Sequence, residues 1–345
     1  MRIKAHVATP MTLALGMLLF CSAADLAAAK TPGAQAKAIL KDSGVRGGLV
    51  VHLGCGDGAL TAALRANDAY VVHGLALDAA SAEKARAHIR SENVYGPVSV
   101  AHFDGMHLPY VDGLVRLIVA EDLGDVPRDE MMRVLCPGGV AFVRQGDAWA
   151  KAVKLWPSEI DEWTHALHGP DNNAVSHDTV VGPPRHLQWI GGPEWGRSHD
   201  HLSSVSVVVS SGGRIFSIVD EGPAAAVALP SRWRLMAQDA FNGVVLWKRE
   251  VEPWEGHLRG FRTGPAAIQR RLVAVGDTVY ATLGYGKPVV ALEAATGKTK
   301  RTYKQTGDAL EILCDGGVLY VITGPAVSHG AAVLRHEYGR NAAYA

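Results

Sequence analysis

Residues 47–58 read Gly-Gly-Leu-Val-Val-His-Leu-Gly-Cys-Gly-Asp-Gly, and residues 59–66 continue in a helical pattern. A short apolar run that enters glycines and leaves as a helix predicts a strand, a tight turn and a helix N-terminus. Glycine lets a backbone approach a ligand closely, and the free N–H groups and dipole of a helix start favour a carboxylate or phosphate there. Gly54, Gly56 and Gly58 are therefore the candidate ligand cradle. Taken alone, the spacing also suits an ordinary tight turn. Cys55 reads as a small turn residue with no base beside it.

The next 90 residues repeat the alternation. Residues 69–78 read as a second strand, 80–91 as a helix, and 98–101 as a third strand running into Phe103-Asp104-Gly105. Residues 114–120 are a fourth strand, and 140–143 a fifth, entered through Cys136-Pro137-Gly138-Gly139. Strands alternating with helices predict an α/β, Rossmann-like, doubly wound parallel sheet.

Three pieces in this order resemble a class I S-adenosylmethionine-dependent methyltransferase of the small-molecule type, over residues 36–146. They are the loop at 54–58, the acid loop Phe103-Asp104 with Leu108-Pro109-Tyr110-Val111-Asp112, and Arg133-Val134-Leu135-Cys136-Pro137-Gly138-Gly139. The resemblance implies S-adenosylmethionine as cofactor, its methionine end on the glycine loop and its adenine amino group facing Asp104. The family also carries an acid two residues before the first glycine, where this chain has His52. A second family acid, at the end of strand two, grips the ribose. Ungapped alignment puts Ala76 there, and Asp78 two residues later serves if the strand end is shifted. Losing one charge-assisted bidentate contact costs roughly 2–3 kcal/mol, about 30- to 150-fold in affinity, so weak cofactor binding is expected. No sixth or seventh strand is legible after strand five, so a shortened sheet is expected. Glu121-Asp122 follows strand four, where this fold often places groups near the transferred methyl; a solvated loop reads equally well.

The first 29 residues carry a basic start, Met1-Arg2-Ile3-Lys4, an apolar stretch over 11–24 and an Ala27-Ala28-Ala29 site. That is the pattern of a cleavable signal peptide, too short to span a membrane. Export to the periplasm or outside the cell is expected, away from the compartment where S-adenosylmethionine is made.

From about residue 185 the texture turns β-rich. One motif occurs three times: Gly212-Gly213-Arg214-Ile215-Phe216, Gly276-Asp277-Thr278-Val279-Tyr280 and Gly316-Gly317-Val318-Leu319-Tyr320. The second and third copies are about 40 residues apart, the size of a four-stranded propeller blade. Asp239-Ala240-Phe241-Asn242-Gly243 and Glu293-Ala294-Ala295-Thr296-Gly297 share a second motif, with Asn-Gly or Thr-Gly at a hairpin tip. This pattern resembles the repeat of PQQ-type β-propellers, a family of quinoprotein dehydrogenases and non-enzymatic assembly scaffolds, over 185–324. An all-β partial propeller of two to three blades is expected, completed by a continuation of the chain or by a partner. Truncation of a longer protein is the favoured of the two. Adjacent cysteines are absent and the ring is too short, so this chain alone is not expected to bind pyrroloquinoline quinone.

Residues 147–184 read as a Trp/His-rich linker, and 325–345 as an irregular tail. Six of the 15 histidines lie within 165–201: His165, His168, His177, His186, His199 and His201. His-x-His with a carboxylate is metal-site chemistry. With no third ligand at a recognisable spacing, the stretch reads as a polar loop and no metal is assigned. Trp163, Trp189 and Trp195 are expected to pack the linker on the β-rich half.

Composition sets the outer limits. Lysine plus arginine (34) equals aspartate plus glutamate (34), which argues against a nucleic-acid partner. With 48% hydrophobic residues the chain is globular, and no apolar run is long enough for a membrane span. Four cysteines without CxxC exclude a disulfide scaffold and a four-cysteine zinc site. Three functions stand: an exported methyltransferase-like protein acting on a small molecule or protein, a non-catalytic scaffold built on the propeller, and a fragment of a quinoprotein oxidoreductase. No catalytic residue is named by the sequence.

Overall fold

The computed structural model describes residues 31–121, 123–146, 148–180, 187–192, 205–224, 229–252, 268–284 and 286–324. The signal-peptide segment, the tail 325–345, Asp122, His186, His199, His201 and Trp195 lie outside the described residues.

Helix α1 (Pro32–Ser43) starts on the cap Thr31 and stops at Gly44, whose φ of 75° is left-handed. Strand β1 (Gly48–Leu53), α2 (Ala59–Ala63), β2 (Tyr70–Ala76), α3 (Ala79–Ser91), β3 (Val98–His102), β4 (Val115–Ala120), α4 (Arg128–Val134), β5 (Leu135–Gln145) and β6 (Ala148–Val153) follow. They form one sheet ordered β3-β2-β1-β4-β5-β6, parallel through β5, with β6 antiparallel. Val50, Val72, Leu117 and Val119 pack under α1, α2 and α3. Val51, Leu53 and Ile118 face Met131 and Val134 of α4 on the other side. Apolar residues on both faces are what a covered parallel strand requires.

The sheet differs from expectation after residue 146. Gly146, at φ 62°, turns the chain back, and β6 covers the outer edge of β5. Trp149 stacks on Phe142, their centroids 5.6 Å apart. The two lysines that disguise this segment as a loop are used by helix ends. Lys151 Nζ donates to Asp42 O and Ser43 O at the end of α1 (2.9 and 3.2 Å). Lys154 Nζ donates to Leu135 O (2.6 Å) at the end of α4. The linker therefore begins after Val153, and the unit begins at Pro32, because Ala36, Ile39 and Leu40 are core residues.

The later half is all-β. Strands β7 (Val205–Ser211), β8 (Arg214–Asp220), β9 (Trp233–Asp239) and β10 (Val245–Glu250) form one antiparallel meander. Strands β11 (Leu272–Val275), β12 (Thr278–Thr282), β13 (Val289–Glu293) and β14 (Thr299–Tyr303) form a second, and β15 (Ala309–Asp315) pairs with β16 (Val318–Thr323). No closed ring is formed among the described residues. Strand β11 lies against both β7 and β15, so the first strands of the three sheets are neighbours. The repeated turns have a shared use. Trp247 Nε1 donates to Ala294 O (2.9 Å), and its ring lies where a Cβ on Gly297 would stand. Trp189 Nε1 makes the same bond to Ala240 O (3.0 Å), over Gly243.

The two halves meet at the amino-terminal edge of the α/β sheet. Arg116 on β4 reaches Asp239, which is buried, with Nε and Nη2 at 2.7 and 2.6 Å from Oδ2. Asn242 Nδ2 donates to Leu114 O (3.1 Å), and Gly47 approaches Leu246. The carboxyl edge, where parallel sheets bind ligands, is the opposite one.

Candidate functional site

Strands β2 and β4 lie on either side of β1, so the order reverses there and a crevice opens beyond the carboxyl ends of β1 and β4. Gly54, Gly56 and Gly58 carry φ of 68°, 54° and 85°, left-handed values that side chains resist. The three differ in use. The N–H groups of Gly54 and Cys55 both donate to Leu75 O (3.0 and 3.2 Å), which pins the loop to β2. A Cβ on Gly58 would stand 2.9 Å from Ala85 O, so this glycine serves helix packing. A Cβ on Gly56 would meet nothing within 4 Å. The N–H groups of Gly56 and Asp57 make no hydrogen bond among the described residues. The turn is therefore an open cradle with free donors, which suits the carboxylate of an amino-acid-like ligand.

Asp78 and Asp104 reach the same edge, each already engaged. Strand β2 ends at Ala76, and Asp78 is the N-cap of α3, accepting from Ser81 N (2.8 Å) and Ser81 Oγ (2.7 Å). Asp78 is near enough to Cys55 to add to the burial that pushes its thiol up to about 11, so Cys55 is a protonated turn residue. Asp104 Oδ1 accepts from the N–H groups of His107 and Met106 (2.7 and 2.8 Å), and Oδ2 lies 2.9 Å from His107 Nδ1. Those bonds hold its carboxyl down at about 2. The two acid loops touch, since His102 Nε2 is 3.1 Å from Leu77 O and Gly105 approaches the Leu77 side chain.

Ala76, the ungapped match to the ribose-gripping acid, is fully buried among Val72, Ala82 and Ala85. An aspartate there would be packed into the core rather than presented to a ribose. His52 is likewise buried, its Nδ1 2.8 Å from Thr61 Oγ1 and its Nε2 without a partner among the described residues. Burial lowers its pKa to about 4, against an opposing pull from the Glu121 charge, so the ring is neutral at pH 7. Glu121, beyond the end of β4, accepts from Gln35 Nε2 of α1 (2.9 Å) and has Arg144 of β5 at 3.9 Å. The sequence pointed to Glu121 for its place after strand four. Its hold by α1 and β5 needs the fold. Asp112 is not part of the crevice contacts and instead binds Arg133 (2.7 Å). Arg133 also donates to Tyr110 O (2.8 Å) and so fixes the 108–112 loop on α4.

The linker holds a second group of polar side chains. His165 is consumed by structure, its Nε2 accepting from Cys314 N (3.1 Å) and its Nδ1 2.7 Å from Thr164 Oγ1. Asp161 Oδ2 lies 2.7 Å from His168 Nε2 and 3.6 Å from His177 Nδ1. The sequence offered His168 and His177 but no third ligand at a recognisable spacing, because Asp161 precedes the histidine stretch.

A glycine cradle at the switch point of a doubly wound sheet defines a nucleotide-type binding unit. Residues 50–139 match the family described as a methyltransferase domain. A curated relative, methyltransferase GfsG of Streptomyces halstedii, is 38% identical over 96 residues, which are 26% of this chain and 34% of that protein. The chain thus spans about a third of the length of the relative it matches. Among solved structures, geranyl diphosphate C-methyltransferase from Streptomyces coelicolor A3(2) is 23% identical, covering 32% of this chain and 44% of its own, with a TM-score of 0.29. The YcgJ protein from Bacillus subtilis is 18% identical, covering 31% and 48%, with a TM-score of 0.28. Among the described residues, no helix is long and apolar enough to cross a membrane.

Proposed function

We propose that the α/β unit binds S-adenosylmethionine in the crevice beyond β1 and β4 and belongs to an exported methyltransferase-like protein. The observation that carries this is the open turn at Gly56, whose donors are free and whose Cβ position meets nothing within 4 Å among the described residues. The residues present fit the cofactor in part. The N–H groups of Gly56 and Asp57 receive its carboxylate. Asp78 offers its unused lone pairs to the ribose, and Asp104 faces the adenine edge. Glu121 supplies the negative charge for the ammonium group that neutral His52 cannot give; its charge is the one felt at His52. When bound, the cofactor supplies an electrophilic methyl group. The protein's own part is to orient it at the crevice mouth. Because the β-sheets dock at the opposite edge, the acceptor is met by α/β-unit residues. The repeated tryptophan contacts over Gly243 and Gly297 support the reading of the later sheets as PQQ-like blades.

Calorimetry of the full chain with S-adenosylmethionine tests this. Binding weakened about tenfold by Glu121→Gln, the loss of about 1.4 kcal/mol, is the expected result. Unchanged binding in that variant removes Glu121 from the site. A second reading, a non-catalytic scaffold, draws on buried Ala76 and neutral His52, which leave two family acids without successors at their own positions. No heat of binding and no gain in thermal stability with the cofactor would establish that reading instead.

A further inference from the structure

We propose that Asp161, His168 and His177 form a binding site for one divalent transition-metal ion of the zinc type, at the junction of the linker and the three β-sheets. This site is separate from the glycine crevice and does not depend on the cofactor reading.

The linker backbone is fixed before its side chains are considered. Trp163 and Ser210 of β7 exchange hydrogen bonds, Trp163 N to Ser210 Oγ (2.9 Å) and Ser210 N to Trp163 O (2.7 Å). Ala274 N of β11 donates to Thr164 O (2.9 Å), and Cys314 N of β15 donates to His165 Nε2 (3.1 Å). Three sheets thus grip three consecutive residues. The chain then turns through His168, a non-glycine residue at φ 72°. Strain of this kind persists only where the surroundings impose it, and it clusters at ligand sites. Here it directs the buried His168 ring to Asp161, with Trp163 edge-on at 5.3 Å.

The three donor atoms lie within 4.8 Å of one another. Bonds of about 2.0–2.2 Å to a tetrahedral ion set its ligand atoms about 3.3–3.6 Å apart. The Asp161–His177 separation of 3.6 Å already has that value, and the Asp161–His168 separation of 2.7 Å must open by less than an ångström. The carboxylate is held by backbone donors: Oδ1 accepts from Glu162 N (2.7 Å), and the donor atom Oδ2 also accepts from His177 N (2.7 Å). Such supporting bonds hold first-shell ligands in place. Two imidazoles and one carboxylate, with no thiolate, select a borderline ion over calcium or magnesium. Both histidines line a cleft of about 560 Å³, with Asp171, Asp315 and Tyr320. Three protein ligands with an open position is the arrangement that leaves room for water or an exogenous ligand.

The alternative is a plain Asp–His ion pair, and the test separates the two. The full chain, stripped with a chelator, is titrated with Zn²⁺ against a chromophoric competitor and, separately, with Co²⁺ by absorbance. The proposal expects one ion per chain and the intense ligand-field bands of four-coordinate cobalt. His177 is exposed, so His177→Ala leaves the fold intact, and it should weaken Zn²⁺ binding at least 100-fold, as Asp161→Asn should; outer-shell changes alone give about 10- to 100-fold. His88→Ala, on α3, should change nothing. Binding below one ion per chain, or full binding retained in His177→Ala, would overturn the proposal.

Discussion

Two glycines two residues apart should respond to the same substitution in opposite ways. Alanine at either position takes a left-handed φ, 54° at Gly56 and 85° at Gly58, which costs about 1–2 kcal/mol. At Gly56 that is the whole cost, since the new Cβ meets nothing within 4 Å. At Gly58 the Cβ would stand 2.9 Å from Ala85 O and 3.0 Å from Ala85 Cα. Backbone cannot swing aside as a side chain can, so α2 or α3 must shift, adding about 1–3 kcal/mol of overpacking. Gly58→Ala is therefore expected to destabilise the unit by about 2–5 kcal/mol, and Gly56→Ala by about 1–2. Hydrogen exchange of peptides covering β1, β2 and α3 reads this locally, which matters in a chain of several units. For binding the order reverses. The Gly56 methyl occupies the cradle and blocks a free donor, and losing a hydrogen bond to a charged ligand costs about 1.5–3 kcal/mol, about 10- to 150-fold in affinity. Calorimetry with S-adenosylmethionine measures it. Equal loss of protection in both variants, or undiminished binding by Gly56→Ala, would refute the division of labour between the two glycines.

Other consequences follow from buried charge. Asp239→Ala leaves the part-buried Arg116 guanidinium without its carboxylate and frees the N–H of Phe241 (2.9 Å to Oδ1). The expected loss is about 3–5 kcal/mol, with strong coupling to Arg116→Met in a double-mutant cycle; additive effects would show that the pair does not join the two halves. His52 has a native pKa of about 4, below the 6.5 of an exposed histidine, so the unfolded chain takes up the proton first. Its contribution is full above pH 6.5 and is lost as pH falls from 6.5 towards 4, by about 3 kcal/mol. His73 and His165 are lowered by burial as well, so the quantity to measure is the difference between the protein and His52→Asn in urea at pH 7.5 and 4.5. A difference independent of pH would contradict a buried neutral ring.

The glycine turn and its flanking elements were legible because each signal is local: apolar run, glycine turn and helix start lie within about 20 residues. The last hairpin of each meander was legible for the same reason, announced by Asn242-Gly243 and Thr296-Gly297. Strand β6 was not, since residues 147–184 read as a Trp/His-rich linker until the edge of β5 and the end of α1, which Lys151 binds, are placed beside it. The fate of the expected acids was also hidden. Asp78 caps α3 and Ala76 is a core residue, since β2 ends at Ala76 and α3 starts at Ala79.

The α/β unit, its glycine turn and the β-rich repeats that follow are written in local sequence, because they rest on periodicity and on glycine's access to positive φ. How they are used is set by long-range packing. It set the β-sheets against the edge away from the cradle through Arg116 and Asp239, brought Glu121 to the crevice, and drew Asp161, His168 and His177 together. Those pairings join residues that share no local pattern, and electrostatic and ligand chemistry depends on distances of a few ångströms that spacing along a chain does not encode.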